Sequence, residues 1–67
     1  MNQSQGESLF MQGKIDEAVV ELQKEAKMGA PRAMYLIGCC LREGYGHVEA
    51  DERKAVKWFQ KGYEEGS

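Results

Sequence analysis

Residues 43–62 read EGYGHVEADERKAVKWFQKG, with two glycines placed just ahead of a helix-like segment. A glycine-rich turn can cradle a phosphate when it follows a strand, and it can join two packed helices when it follows a helix. The residues before Gly44 have helical periodicity, no Gly-Lys-Ser/Thr motif follows, and Glu49 and Asp51 would repel an anion. The stretch therefore favours the elbow of a helical hairpin, in which Asp51 is the N-cap of the returning helix.

Helical periodicity extends over the rest of the chain, and the sequence has no alternating β-branched runs. Ser4 and Glu7 have the spacing of a capping box, while Gly13, Gly29 and Pro31 mark turns. We predict helices from about Gln5 to Met11, from Ile15 to about Met28, from Pro31 to Glu43, and from the residue after Asp51 towards the end of the chain.

The two halves of the chain repeat one another. AVVELQKEAKMG at residues 18–29 and AVKWFQKGYEEG at residues 55–66 share alanine, a bulky apolar residue, lysine and glycine at the same spacing, 37 positions apart. The elbows FMQG (10–13) and LREG (41–44) match 31 positions apart, so the second connection is six residues longer. A repeat of helix pairs indicates a solenoid. We predict an all-α fold, a short α-solenoid of two helix-turn-helix units with four antiparallel helices.

The second unit resembles a known family. The matching positions are Gly29, Ala30, Ala33, Ile37, Gly38, Gly44, Gly46, Val48, Asp51, Lys54, Ala55, Trp58, Phe59, Lys61 and Gly66. With them, residues 30–67 resemble a Sel-like repeat, the long-loop relative of the tetratricopeptide repeat. Residues 1–29 are similar to a shorter tetratricopeptide-like unit or to a degenerate Sel-like one. The first helix of this unit is partly degenerate, since Glu7 falls where Gly38 stands. We expect residues 1–67 to form one helical-repeat domain.

This resemblance implies packing roles for several residues of the second unit. Small residues are expected where the two helices of a unit cross, and larger apolar residues fill the space between helices and between units. The residues with expected packing roles are Ala33, Ile37, Gly38, Leu41, Gly44, Ala55, Trp58 and Phe59.

The resemblance also implies a protein-interaction module, an adaptor or scaffold that binds a peptide or a partner protein. In such arrays the first helix of each unit lines the concave surface. Residues of the third helix that the core does not need are therefore predicted to contact the partner. They are Arg32, Tyr35, Leu36, Cys39 and Arg42. Tyr35 would be the aromatic anchor, and the arginines would pair with carboxylates.

Self-association is an alternative hypothesis. One helix pair cannot bury its apolar faces alone, so stacked neighbours share a core. A further unit would begin after Gly66, where the sequence stops at Ser67. We expect either a piece of a longer repeat array or a short protein whose open C-terminal helix face, with Tyr63, is covered by a second copy or a partner. A small regulatory or chaperone-like protein that clamps one partner is a further alternative.

The charges of the chain are interspersed along the sequence and give a formal net charge of -2. Without a basic stripe, nucleic-acid binding is not expected. No run of about 18 apolar residues is present, so the sequence predicts no membrane span. The N-terminal segment lacks the basic start and apolar run of a signal peptide, which favours a cytoplasmic location.

Few residues are candidates for chemistry. Cys39 and Cys40 would point about 100° apart on a helix, so they neither pair with each other nor form a Cys-x-x-Cys site. His47 is the single histidine, and we predict that it is a turn residue without an orienting acid. Because the sequence offers neither a zinc ligand set nor a catalytic triad, we expect no metal, no cofactor and no enzymatic activity.

Overall fold

The computed structural model describes residues 4–66, which form four helices. They are α1 (Gln5–Met11), α2 (Ile15–Lys27), α3 (Pro31–Glu43) and α4 (Glu52–Gly66). Each helix packs against the next one in the chain, and α3 also contacts α1. The predicted all-α fold of two helix-turn-helix units is confirmed.

Capping side chains and a left-handed glycine set the helix boundaries. The Ser4 hydroxyl accepts a hydrogen bond from the Glu7 N–H at 3.1 Å, and Asp51 Oδ1 accepts one from the Lys54 N–H at 3.1 Å. Both caps satisfy donors that the first turn of a helix leaves without a partner. Gly44 ends α3 with a φ of 72°, a left-handed conformation that glycine adopts at little cost.

Apolar side chains of α2 and α3 form the hydrophobic core. Its buried members are Ala18, Leu22, Ala26, Ala33, Met34, Leu36 and Ile37. The expectation that the core does not need Leu36 is wrong, since this residue belongs to the core and is only 6% exposed. Leu36 lies about one helical turn after Ala33 and one before Cys40, which are both buried, so it belongs to the side of α3 that packs on the first hairpin.

Glycine permits a close helix contact in both hairpins. A Cβ atom on Gly6 would lie 2.7 Å from Leu22 Cδ2, and one on Gly38 would lie 2.5 Å from Phe59 Cε1. Both distances are too short for a larger residue unless a neighbour moves. The expected equivalence of Glu7 and Gly38 is therefore wrong, because Gly6 is the residue that takes this place in α1.

The long connection, residues 44–50, lies against the first hairpin. The ring centroids of Phe10 and Tyr45 are 6.2 Å apart. His47 donates its backbone N–H to Asp16 Oδ1 at 2.7 Å, and its Nδ1 lies 2.8 Å from the same oxygen. These hydrogen bonds hold the pKa of the Asp16 carboxyl below its ordinary value. The prediction that His47 has no acidic partner is therefore wrong.

Candidate functional site

An open groove runs between α3 and α4 and is lined by these two helices alone. We call it the end groove; it has a volume of about 450 Å³ and is lined by Pro31, Tyr35, Arg42, Phe59, Gly62 and Tyr63. Tyr35 is exposed and Tyr63 is 79% exposed. The groove therefore offers aromatic surface to the solvent, with Arg42 as its charged side chain.

Two glycines bring α4 close enough to α3 to place the aromatic rings of the end groove. Phe59 lies over Gly38, and a Cβ atom on Gly62 would lie 3.2 Å from the carbonyl oxygen of Pro31. The ring centroids of Tyr35 and Phe59 are 5.6 Å apart, a separation typical of favourable aromatic pairs. The close crossing of α3 and α4 thus positions the rings of Tyr35 and Phe59 in the groove without a bound partner.

Arg42 supplies the positive charge of the end groove. Its guanidinium carbon lies 5.7 Å from the centroid of the Phe59 ring, and its Nε donates to Glu43 Oε2 at 3.1 Å. Both members of this ion pair are about half exposed, so water screens their attraction. The remaining guanidinium donors are therefore available to a carboxylate of a bound molecule.

The first unit contains a buried counterpart of the exposed face of α4. Val19 and Ala26 of α2 are each 2% exposed. Their counterparts 37 positions later, Val56 and Tyr63, are 47% and 79% exposed. Among the described helices, α4 contacts α3 alone. The same repeat position is therefore covered in the first unit and open in the second.

Of the five residues predicted to contact a partner, two line the end groove and a third, Arg32, has its guanidinium carbon 5.9 Å from the centroid of the Tyr35 ring. Tyr35 and Arg42 both line the end groove. Arg32 also pairs with a glutamate of α1, with its Nη2 3.1 Å from the carboxylate oxygen. Cys39 is half-buried, and Leu36 belongs to the core.

The residues expected to pack between helices fall into two groups. Ala33, Ile37, Gly38 and Ala55 are buried, whereas Leu41, Gly44, Trp58 and Phe59 are half-buried. Each of the two half-buried aromatic residues lines a cavity. Phe59 lines the end groove, and Trp58 lines a second cavity that α2, α3 and α4 share.

Sequence reasoning missed three residues that shape these surfaces. Pro31 and Gly62 line the end groove, and Glu7 is the acidic partner of Arg32. The internal repeat did contain a signal for the groove, because the shift of 37 positions aligns the exposed Tyr63 with Ala26, a core residue. The partner of Arg32 had no such signal, because it lies 25 residues away in another helix.

The described residues offer few groups for metal binding or nucleophilic chemistry. Among residues 4–66, no three His, Cys, Asp or Glu side chains are grouped so that they could hold a metal ion. Burial, together with the neighbouring Cys39, raises the pKa of the Cys40 thiol to about 11. This thiol is therefore protonated at neutral pH and a poor nucleophile. No helix in this part of the chain is both long and apolar enough to cross a membrane.

The segment that carries the end groove also matches a known family. Residues 31–67 match the family model of the Sel1 repeat. No curated protein and no solved structure matches the sequence. The matched segment includes α3, the long connection and α4, and thus every residue that lines the groove.

Proposed function

Because the chain belongs to the Sel1 repeat family, whose repeats generally mediate protein–protein interaction, we propose that it is an adaptor or scaffold that binds a partner protein through the end groove. The observation that carries this proposal is the exposure of Tyr63, a residue of the groove whose counterpart in the first unit, Ala26, is buried. An exposed helix face whose equivalent in the other unit is buried is suited to contact with the side chains of another protein. The proposal treats residues 1–29 and 30–67 as two units of one domain.

The end groove has residue types that dominate binding energy at protein interfaces. Tyrosine and arginine are enriched among residues whose loss weakens binding most, and the groove holds Tyr35, Tyr63 and Arg42. The Tyr35 ring already rests against Phe59, so it loses less conformational freedom when a partner binds. The proposed partner segment places an apolar side chain against the tyrosines and a carboxylate on Arg42.

The neighbouring surface of α3 contributes less to the proposed interface. Arg32 and Cys39 remain proposed contacts, although Arg32 is already paired with Glu7 and Cys39 is half-buried. A carboxylate of the partner would have to compete with Glu7 for the same guanidinium. Replacement of Arg32 is therefore expected to weaken partner binding less than replacement of Arg42.

The proposed role is binding and not catalysis. Acid–base catalysis uses titratable groups whose environments push their pKa values apart. The ionisable side chains of the end groove are one arginine and two tyrosines. An arginine stays protonated at physiological pH, so it serves to recognise negative charge and not to exchange protons.

Self-association is a second candidate function, because the exposed face with Val56 and Tyr63 also suits a second copy of the chain. The helix α4 carries Arg53 near its start and Glu64 near its end. An antiparallel pair of α4 helices would therefore bring opposite charges together. In this case the two copies cover each other's end grooves.

Solution mass and partner capture test the two candidates. A mass that doubles as concentration rises indicates self-association, whereas a constant monomer mass favours a different partner. Immobilised wild-type protein is then compared with Tyr35→Ala/Arg42→Ala, and Met28→Ala serves as an exposed control outside the groove. We expect the double variant to lose the captured protein at unchanged helicity and the control to retain it. Full retention by the double variant would contradict the proposal.

A further inference from the structure

The second cavity lies between α2 and α4. Within the described part of the chain, no Cα atom of α2 lies within 8 Å of a Cα atom of α4, so α3 forms the floor between them. The resulting valley has a volume of about 200 Å³ and is lined mainly by Val19, Gln23, Ile37, Leu41, Val48 and Trp58. Cys40 and Lys54 complete the lining, in which Lys54 is the one charged side chain, Gln23 is polar and the other six are apolar. The valley therefore suits an apolar group.

Three lysines of α4 adjoin Trp58 at this valley. A neighbouring cavity of about 240 Å³ is lined by Lys54, Lys57, Trp58 and Lys61, and it shares Lys54 and Trp58 with the valley. The lysines follow one another at spacings of three and four residues, which brings them to one side of the helix. Lys61 Nζ lies 5.9 Å from the centroid of the indole ring. The apolar valley is thus continuous with a positively charged rim.

The ammonium groups of this rim take no part in the ion pairs of the described residues. Among residues 4–66, none of Lys54, Lys57 and Lys61 has a carboxylate oxygen within 4 Å, whereas Lys24 pairs with Glu21. The chain as a whole has a formal net charge of -2. The lysine rim is therefore a local positive area on a protein that is otherwise slightly acidic, and it attracts negative charge.

We propose that the valley and its lysine rim bind an acidic segment of a partner protein that carries a bulky apolar residue. The apolar side chain enters the valley against Trp58, and flanking carboxylates pair with Lys57 and Lys61. The site is distinct from the end groove because Trp58 and Phe59 are consecutive on α4 and point about 100° apart. One helix thus presents two binding surfaces, each with its own aromatic residue.

An acidic protein segment fits this surface better than a nucleic acid does. Nucleic-acid sites neutralise several phosphates with lysines and arginines spread over an extended basic surface. Here the lysines from Lys54 to Lys61 span only about two turns of one helix. A segment with carboxylates around one apolar anchor uses both the charge of the rim and the depth of the valley.

Trp58 provides a direct readout of binding, since it is the only tryptophan of the chain. The full chain is titrated with a synthetic peptide of repeated Glu-Glu-Leu units while the indole emission is recorded. A peptide of repeated Gln-Gln-Leu units is the comparison. We expect a saturable change with the acidic peptide that weakens as salt is added, and binding of the glutamine peptide that is weaker by about fivefold or more.

A pair of matched variants tests the lysine rim. Lys57→Gln/Lys61→Gln removes two exposed charges and is expected to raise the dissociation constant of the acidic peptide about fivefold. The control, Lys14→Gln/Lys27→Gln, removes two exposed lysines outside the rim and should leave the constant within about twofold. Circular dichroism verifies that both variants keep their helices.

Three outcomes would overturn the proposal. They are equal affinity for the two peptides, an equal loss of affinity in both double variants, and tighter binding of an oligothymidylate through Lys57 and Lys61. The last outcome would assign the rim to nucleic acid. The end groove is also proposed to bind a carboxylate and an apolar side chain, so the readout is the change at Trp58 and not total binding. The variant Tyr35→Ala/Arg42→Ala removes the end groove and should keep the saturable change at Trp58 and its dependence on Lys57 and Lys61, so that failure at the end groove and failure at the valley can be told apart.

Discussion

His47 donates its backbone N–H to Asp16 Oδ1 at 2.7 Å, and the same oxygen lies 2.8 Å from the imidazole Nδ1. This contact joins the long connection after α3 to the first turn of α2, 31 positions earlier in the chain. The rings of Tyr45 and Phe10 add a second contact between the same two units. The long connection therefore adds contacts between the two helical hairpins, beside the packing of α2 on α3.

The Asp16–His47 contact predicts a loss of stability in acid. Hydrogen bonds from His47 lower the pKa of Asp16 in the folded state below the ordinary value of 3.8. The ionised carboxylate therefore contributes stability above about pH 4, and this contribution is lost as the pH falls through the lowered pKa. We expect Asp16→Asn to unfold at a lower urea concentration than the wild type at neutral pH, and this difference to shrink in acid.

Urea unfolding followed by circular dichroism at a series of pH values measures this difference. Glu17→Gln is the matched control, because Glu17 is an exposed neighbour that forms no ion pair among the described residues. A difference between the wild type and Asp16→Asn that stays constant from neutral pH to about pH 2 would argue against the contact.

Gly38→Ala tests the close crossing of α3 and α4. The new Cβ atom would lie 2.5 Å from Phe59 Cε1, so the ring or the helix must move. We expect overpacking to cost about 1–3 kcal/mol of unfolding free energy, offset by up to about 1 kcal/mol from the better helix propensity of alanine. Gly66→Ala is the control, since its Cβ would lie 3.6 Å from Pro31 Cβ, an ordinary contact. Equal unfolding free energies for the two variants would contradict the crossing.

The two cysteines are predicted to differ in reactivity. Cys40 is buried and its thiol pKa is raised to about 11, whereas Cys39 is half-buried. Because the thiolate is the reactive form, iodoacetamide at about pH 8 should alkylate Cys39 well before Cys40. Mass spectrometry of Cys39→Ser and Cys40→Ser over time measures the two rates separately. Faster labelling of the Cys39→Ser variant would contradict the burial of Cys40.

The helices could be predicted from the sequence because their signals are local. Caps such as Asp51, the turn glycines and the apolar periodicity act within a few residues, and the internal repeat fixes how the helices pair. Local signals do not predict which side of a helix a neighbouring helix covers. Leu36 sits at the border between the core side and the exposed side of α3, and only the position of the first hairpin decides that it is buried.

Contacts between residues far apart in the chain could not be predicted, because they leave no pattern in the sequence. Asp16 and His47 are 31 positions apart, and Glu7 and Arg32 are 25 positions apart, with no periodicity that links them. The lysine rim was hidden for another reason. Its lysines are separated in sequence by apolar residues and a glutamine, and they form one positive area only because the helix brings them to one side.

A site-specific photo-crosslinking comparison tests the central proposal, that the end groove binds a protein, most directly. A benzoylphenylalanine is placed at Tyr63 or, as the matched control, at Tyr45, an exposed tyrosine outside the groove. The proposal predicts that the probe at position 63 captures a partner protein or a second copy and that the probe at position 45 does not. Equal capture at both positions, or capture at position 45 alone, would contradict it.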